Sequence, residues 1–333
     1  MSEERPGKDI MKSNHLQYHV LLRKELQAVE QAMLQDHAHI PSIIATPLDN
    51  LLSSGGKRLR AALALLTGRL YTVKLESAIA MAAATEMLHV ATLIHDDLID
   101  GAALRRGTQT MNAQWSPGTT VLGGDIVFSW ATRLAIRCKS LPLIERFSET
   151  LEVICTGELN QMLCQQGRIP TQAEYYQRIF AKTASLFGIA TESAPLLTRA
   201  GLQEQQRMRQ FGELLGKAFQ IADDLLDFTA NQEELGKPVG SDLRQGVLTL
   251  PVLYFAETHP DDERLTAILT RRAGEQLINS LIRDIRQSEA LPRARRAAEI
   301  RVEKALTLLA AFPPSPHRQA LEEISAFAIN RRY

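Results

Sequence analysis

A chain of 333 residues with 45% hydrophobic residues can close a full apolar core, which excludes a disordered or fibrous protein. Lysine plus arginine equals aspartate plus glutamate at 38 each, so no long-range field draws in nucleic acid, and any charged ligand has to be met by local clusters. Cys138, Cys155 and Cys164 form no CxxC pair, which points to reduced thiols packed in a cytoplasmic protein, not to a disulfide framework.

The first 14 residues mix charges without an apolar run and are expected to form a flexible segment ahead of one helical domain over 15–333. Beyond them, apolar residues recur at helical spacing nearly throughout; Leu22, Leu26, Val29 and Met33 make one such stripe. Helices are predicted at about 15–36, 40–53, 57–71, 75–99, 118–138, 140–166, 171–196, 202–230, 247–258, 273–288, 290–311 and 316–331. No strand alternation competes with them. The breaks carry turn residues, among them Ser116-Pro117-Gly118, Arg168-Ile169-Pro170 and Gly236-Lys237-Pro238, and none is long enough for a domain linker. An all-α, single-domain helical bundle is the expected architecture. The richest apolar stretch, Ala78 to Ala84, is too short to span a bilayer.

Two acidic motifs interrupt apolar helices. In Asp96-Asp97-Leu98-Ile99-Asp100, Asp96 and Asp100 are four apart and project from one face about 5–6 Å from each other. They repel unless a cation lies between them, and a helix C-terminus is the wrong pole for anions. Asp223-Asp224-Leu225-Leu226-Asp227 repeats the spacing inside another apolar helix. Hard oxygen donors without histidine or cysteine partners favour Mg2+, which takes one or two carboxylates and completes its shell with phosphate oxygens and water. The ligand is then expected to be a phosphate ester.

Three basic groups can meet such an anion. Gly55-Gly56-Lys57-Arg58-Leu59-Arg60 opens a helix, where the glycines allow close backbone approach and Lys57 and Arg60, three apart, are expected to point the same way. Arg105 and Arg106 follow the first acidic motif on a loop, where guanidinium forks can bind phosphate bidentately. Lys182 and Thr183 interrupt an apolar helical stretch, and a lysine there is costly without an anion.

The strings GGKRLR, LIHDDLIDGAALRRG, AKTASLFG, FQIADDLLDF and GKPVGSDLRQGVLTLP, in this order, resemble the trans-type polyprenyl diphosphate synthase family over about residues 15–331. The resemblance implies an isoprenoid synthase-type helical bundle with a central apolar cavity, usually a homodimer, condensing an allylic diphosphate with isopentenyl diphosphate. It implies Asp96, Asp100 and Asp223 as magnesium ligands, with Asp97 and Asp227 in support. Arg105, Lys182, Thr183, Gln220 and Lys237 would hold the allylic diphosphate, and Lys57, Arg60, His89 and Arg106 the isopentenyl diphosphate. Two departures stand out: Ala61 replaces the proline common after GGKRLR, and Gly123-Gly124-Asp125 stands where one glycine before aspartate is usual. A class I terpene cyclase would share the ionisation but usually carries a different second metal motif, and a non-catalytic partner subunit would have lost some of these charges.

The resemblance also bears on product length. Short-chain members often carry an aromatic residue five positions before the first aspartate, where this chain has Ala91. Ala91 and Thr92 lie about one turn below Asp96, and Leu88 and Met87 one turn deeper, so the tail of a growing product is expected to pass Ala91 and to reach hexaprenyl to decaprenyl length. No membrane span is expected, only peripheral membrane contact at product release.

Overall fold

The computed structural model describes residues 16–35, 42–53, 56–105, 108–163, 168–229 and 239–330. The first described helices are α1 (Gln17–Leu21) and α2 (Arg23–Leu34), where one helix was predicted; the chain bends at Leu22. Leu22, Val29 and Met33 of the expected stripe are buried and Leu26 is half-buried. After α3 (Ser42–Ser53), α4 (Leu59–Leu70) and α5 (Leu75–Ile99) pack together.

α5 is the axis of the bundle. It is long and apolar enough to cross a bilayer, more so than its Ala78–Ala84 stretch suggests, but 72% of its most apolar window is buried by protein. A helix apolar on all sides belongs in a core. Ala78, Ala80, Ala82, Ala83 and Ala84 are buried along it, small enough to bring α4 and α7 (Pro117–Arg137) close. Between α5 and α7 come an antiparallel ribbon, β1 (Leu104–Arg105) with β2 (Thr108–Gln109), and the short α6 (Met111–Gln114), none of which was predicted. Two-residue strands leave no alternation to read, and the ribbon does not change the all-α class. α7 starts as its Ser116-Pro117 signature demands: Pro117 opens the helix, and the Ser116 hydroxyl accepts the Thr119 N–H at 3.2 Å.

α8 (Leu141–Leu163) precedes α9 (Gln172–Ile179), which begins in a capping box between Thr171 and Glu174. α9 continues through a π-helical turn, Phe180–Ala184, into α10 (Ser185–Leu197). α10 lies tight against α11 (Leu202–Thr229): a Cβ on Gly212 would stand 2.2 Å from the Phe187 carbonyl oxygen, and one on Gly216 2.6 Å from the Ala184 Cα. Those glycines bring the π turn beside the second acidic motif. α11 joins two apolar clusters, giving Met208, Phe211 and Leu215 to one and Ala218, Ile221 and Phe228 to the other. The remaining helices, α12 (Ser241–Arg244), α13 (Leu250–Thr258), α14 (Glu263–Leu269), α15 (Glu275–Gln287), α16 (Ala290–Leu309) and α17 (Pro316–Asn330), complete the second cluster and close over α4 and α11.

Candidate active site

The last turn of α5 presents three carboxylates with distinct surroundings. Asp96 faces the π turn, and its Oδ2 lies 3.1 Å from the Lys182 ammonium. Lys182 also lies 3.2 Å from Oε1 of Glu158 on α8. Burial works against the lysine charge, yet Asp96 and Glu158 more than offset it, and the Lys182 pKa is raised. Desolvation lifts the Glu158 carboxyl despite Lys182, with Asp96 adding to the rise. Asp100 is likewise raised by desolvation and by Asp96, with Lys182 and Arg105 opposing. Glu158 was not foreseen. Its signal in the sequence is the glycine before it: a Cβ on Gly157 would stand 2.3 Å from the Ala181 Cβ, so the glycine lets α8 reach the π turn.

Asp97 turns the other way. It is buried, and Arg105 Nε donates to both of its oxygens at 2.9 Å while Nη2 lies 2.7 Å from Oδ1. The expected supporting metal ligand is thus engaged by the arginine expected to meet a diphosphate, and the pair fixes the start of the ribbon against α5. His95, adjacent to Asp96, rests on the bare backbone of Gly124 in α7, where a Cβ would stand 2.2 Å from its Nε2. That ring nitrogen is 3.2 Å from the Val121 carbonyl oxygen. Gly124, directly before Asp125, is therefore a seat for the residue that leads into the acidic motif, while the additional Gly123 lies against Met111, whose Cε a Cβ would meet at 2.8 Å.

The second motif is built on a buried network. The Tyr175 hydroxyl donates to Asp224 Oδ2 at 2.6 Å, Gln220 Nε2 donates to Oδ1 at 3.0 Å, and the Thr183 hydroxyl donates to Gln220 Oε1 at 2.7 Å. Burial and the Asp242 charge push the Asp224 carboxyl up to about 7, against the pull of those hydrogen bonds. Thr183 and Gln220, both assigned to the allylic diphosphate, are therefore neighbours in space. Asp223 is half-buried on the same helix. Asp227, the other expected supporting ligand, accepts the backbone N–H groups of Ser241 and Asp242 at 3.1 Å each and so holds α12 onto α11.

The basic turn before α4 departs from expectation. Arg58 has left-handed backbone angles (φ 43°, ψ 38°) and caps α4, so Lys57 precedes the helix and the three-residue spacing to Arg60 does not put the two on one helical face. Lys57 Nζ lies 4.6 Å from the centre of the Phe327 ring, and the Arg60 guanidinium 5.0 Å from that of Phe187. His89 is half-buried on α5 two turns before Asp96, and its carbonyl accepts the Thr92 hydroxyl at 2.7 Å. Ala91, Met87 and Leu88 are buried and Thr92 half-buried. Arg106 and Lys237 lie outside the described residues. A cleft of about 310 Å³ is lined by Leu225, Leu226, Leu291 and Arg295 among others and by no residue expected at the site.

The donor set suits a hard divalent cation. Among the described residues no three metal-ligating side chains form a ready cage. Asp96 and Glu158 share one ammonium with Asp100 close enough to feel its charge, and desolvation raises the Asp100 and Glu158 carboxyls against the pull of Lys182. Magnesium, which keeps water and phosphate oxygens in its shell, does not need a full protein cage.

The polyprenyl synthetase family model matches residues 41–285, a span holding both acidic motifs, the basic turn and the π turn. The chain belongs to the polyprenyl synthetase family. Its similarity to members extends over nearly the whole length. It is 32% identical over 320 residues to the octaprenyl diphosphate synthase of Escherichia coli K12, covering 92% of this chain and 99% of that protein. With the all-trans-nonaprenyl-diphosphate synthase (geranyl-diphosphate specific) of Rhodobacter capsulatus it shares 34% identity over 314 residues, 92% and 95% of the two chains. A polyprenyl synthase from Caulobacter crescentus CB15, crystallised with calcium and isoprenyl diphosphate, superposes with a TM-score of 0.90 at 32% identity, covering 98% of this chain and all of that one. As a member of the polyprenyl synthetase family, the chain has the isoprenoid synthase bundle expected from its motifs.

Proposed function

We propose that this chain is an all-trans polyprenyl diphosphate synthase that adds isopentenyl diphosphate units to an allylic diphosphate and makes a medium- to long-chain product. The observation that carries this reading is the meeting of Asp96, Glu158 and Lys182 from three elements, with Thr183, next to Lys182 in the chain, hydrogen-bonded to Gln220. Asp96, Asp100 and Asp223 would hold Mg2+, which when bound would supply charge neutralisation for a leaving diphosphate. Lys182 is the protein's own cation at that place, with Arg105, Thr183, Gln220 and Lys237 as further contacts for the same diphosphate. Lys57, Arg60, His89 and Arg106 hold the second substrate, so that its terminal alkene faces the allylic carbon and a bimolecular encounter becomes a positioned one. The allylic carbon–oxygen bond breaks, the new carbon–carbon bond forms, and the proton lost to restore an alkene passes to the departing diphosphate. The buried apolar flank of α5 keeps water from the cation.

The assembly we infer is a homodimer. Leu122 (63% exposed) and Ile136 on α7, with Leu141, Leu159 and Leu163 (70% exposed) on α8, form apolar surface that a second copy would cover. The unpaired thiols of Cys138 and Cys155 suit a reducing cytoplasm, with membrane contact confined to product release. The deciding assay incubates the purified chain with Mg2+, farnesyl diphosphate and labelled isopentenyl diphosphate and sizes the products. Chains longer than geranylgeranyl diphosphate, lost on chelation, support the reading; cyclised hydrocarbon, or no elongation by the chain alone, overturns it.

A further inference from the structure

Glu86 is a buried carboxylate, 4% exposed, on α5 about three turns before Asp96. A charge so placed is costly unless it is met, and its partners all belong to the basic turn. Its Oε1 accepts the Ala61 N–H at 3.1 Å, and its Oε2 lies 3.8 Å from Arg58 Nη1. The Ala61 amide is in the first turn of α4, whose cap residue Arg58 offers no side-chain cap of its own. Glu86 therefore caps α4 from a different helix, where the amide has no partner within its own helix and the dipole favours an anion. The same turn has a second anchor: the hydroxyl of fully buried Tyr18 donates to the Lys57 carbonyl at 2.6 Å. Tyr18 is held in its neutral, donating form by burial and by the nearby Glu86 charge. Arg58, in turn, donates to the Leu52 carbonyl and to Glu30.

We infer that Glu86 is the positioning residue of the isopentenyl diphosphate subsite, fixing the Lys57–Arg60 turn to the helix that carries the metal-binding aspartates. The inference rests on the functional reading above, in which Lys57 and Arg60 bind that substrate. Glu86 touches no substrate. Because Glu86, His89 and Asp96 share one rigid helix, α5 sets the separation between the two diphosphates, and Glu86 transmits that setting to the basic turn. The bond to Ala61 also depends on the departure from proline at this position, since proline has no N–H to donate.

The test measures initial rates with isopentenyl diphosphate and farnesyl diphosphate varied in turn, for the wild type, Glu86→Ala, Glu86→Gln and Ala61→Pro, with circular dichroism on each. Glu86→Ala is expected to raise KM for isopentenyl diphosphate about fivefold to tenfold, the range of one or two hydrogen bonds, and to leave KM for farnesyl diphosphate within about twofold. Glu86→Gln keeps an acceptor for Ala61 and is expected to restore much of the loss. Ala61→Pro, which removes the donor at a first-turn position that tolerates proline, is expected to shift the same KM in the same direction. If Glu86→Ala does not fold, Glu86→Gln and Ala61→Pro carry the test. Equal changes for both substrates, or a fall in kcat and thermal midpoint with both KM values unmoved, overturns the inference. A wild type that elongates nothing would instead refute the functional reading, so the two failures are distinguishable.

Discussion

Gly157 of α8 lies against Ala181 of the π turn so closely that a Cβ on the glycine would stand 2.3 Å from the alanine Cβ. This contact delivers Glu158 to Lys182 and, through Lys182, steadies Asp96. Gly157→Val is expected to push α8 outward, separate Glu158 from the ammonium and lower kcat at least tenfold, with a fall in melting temperature from the overpacking. Unchanged kcat in a folded Gly157→Val protein would show that the contact does not serve the site.

Asp96→Ala and Asp223→Ala are each expected to cut turnover by roughly two orders of magnitude or more, because on the proposed function each removes a metal ligand acting on the leaving group. The helical signal should survive. Asp96→Ala also frees Lys182 from one of its two carboxylates, so a Glu158→Gln change in the same background is expected to cost less than it does in the wild type. Steady-state rates at saturating Mg2+ decide the matter; near-normal turnover in both single variants would remove the metal assignment.

The large helices and the two acidic motifs were legible because hydrophobic periodicity and a repeated carboxylate spacing are local properties of the chain. Helix bounds fell within a few residues for α5, α7 and α11. What stayed hidden depended on contacts between elements. The π turn that aims Lys182 at Asp96 follows no pattern a periodicity can register, and Glu158 becomes part of the site only because Gly157 admits α8. The spacing of Lys57 and Arg60 misled for a local reason, since the left-handed Arg58 starts the helix later than composition suggested. Asp97 and Asp227 look like their neighbours in sequence, and only the fold turns one to Arg105 and the other to the backbone of α12.

Glu192 on α10 is 2% exposed, and burial pushes its carboxyl up to about 7. Arg146 and Arg209 oppose the shift, and Glu213 and Glu149 add to it. Arg146 Nε lies 3.2 Å away without hydrogen-bond geometry, so the pair only partly compensates the buried charge. A folded pKa above the unfolded one means that the native state keeps a proton the unfolded chain releases. Stability from this group is therefore full below about pH 4.5 and declines as pH rises to about 7, by up to about 3 kcal/mol. Glu192→Gln is expected to be more stable than the wild type at about pH 8, with the advantage shrinking toward about pH 5. Denaturation midpoints at the two pH values check it; an advantage independent of pH would assign the effect to packing alone.

Ala91 lies five residues before Asp96, about 7.5 Å down α5, with its side chain buried and Met87 and Leu88 fully buried a turn further. On the proposed function, a growing prenyl tail that leaves the site along this helix would meet Ala91 first, and the small side chain would let it pass to the larger pair below. Met87 is flexible enough to swing aside, as a long product would require. Half-buried Phe128 sits on α7, the helix packed against α5, and on the proposed path would help shape the floor. Ala91→Tyr places an aromatic ring one turn below the aspartates while leaving Asp96, Asp100 and Lys182 unaltered. Its main product is expected to shorten to farnesyl or geranylgeranyl diphosphate, with the rate of the first condensation retained within about tenfold and an overpacking cost of about 1–3 kcal/mol. Chromatographic sizing of labelled products reads the outcome. An active Ala91→Tyr enzyme that still makes the wild-type length would mean that the tail does not run along this face of α5.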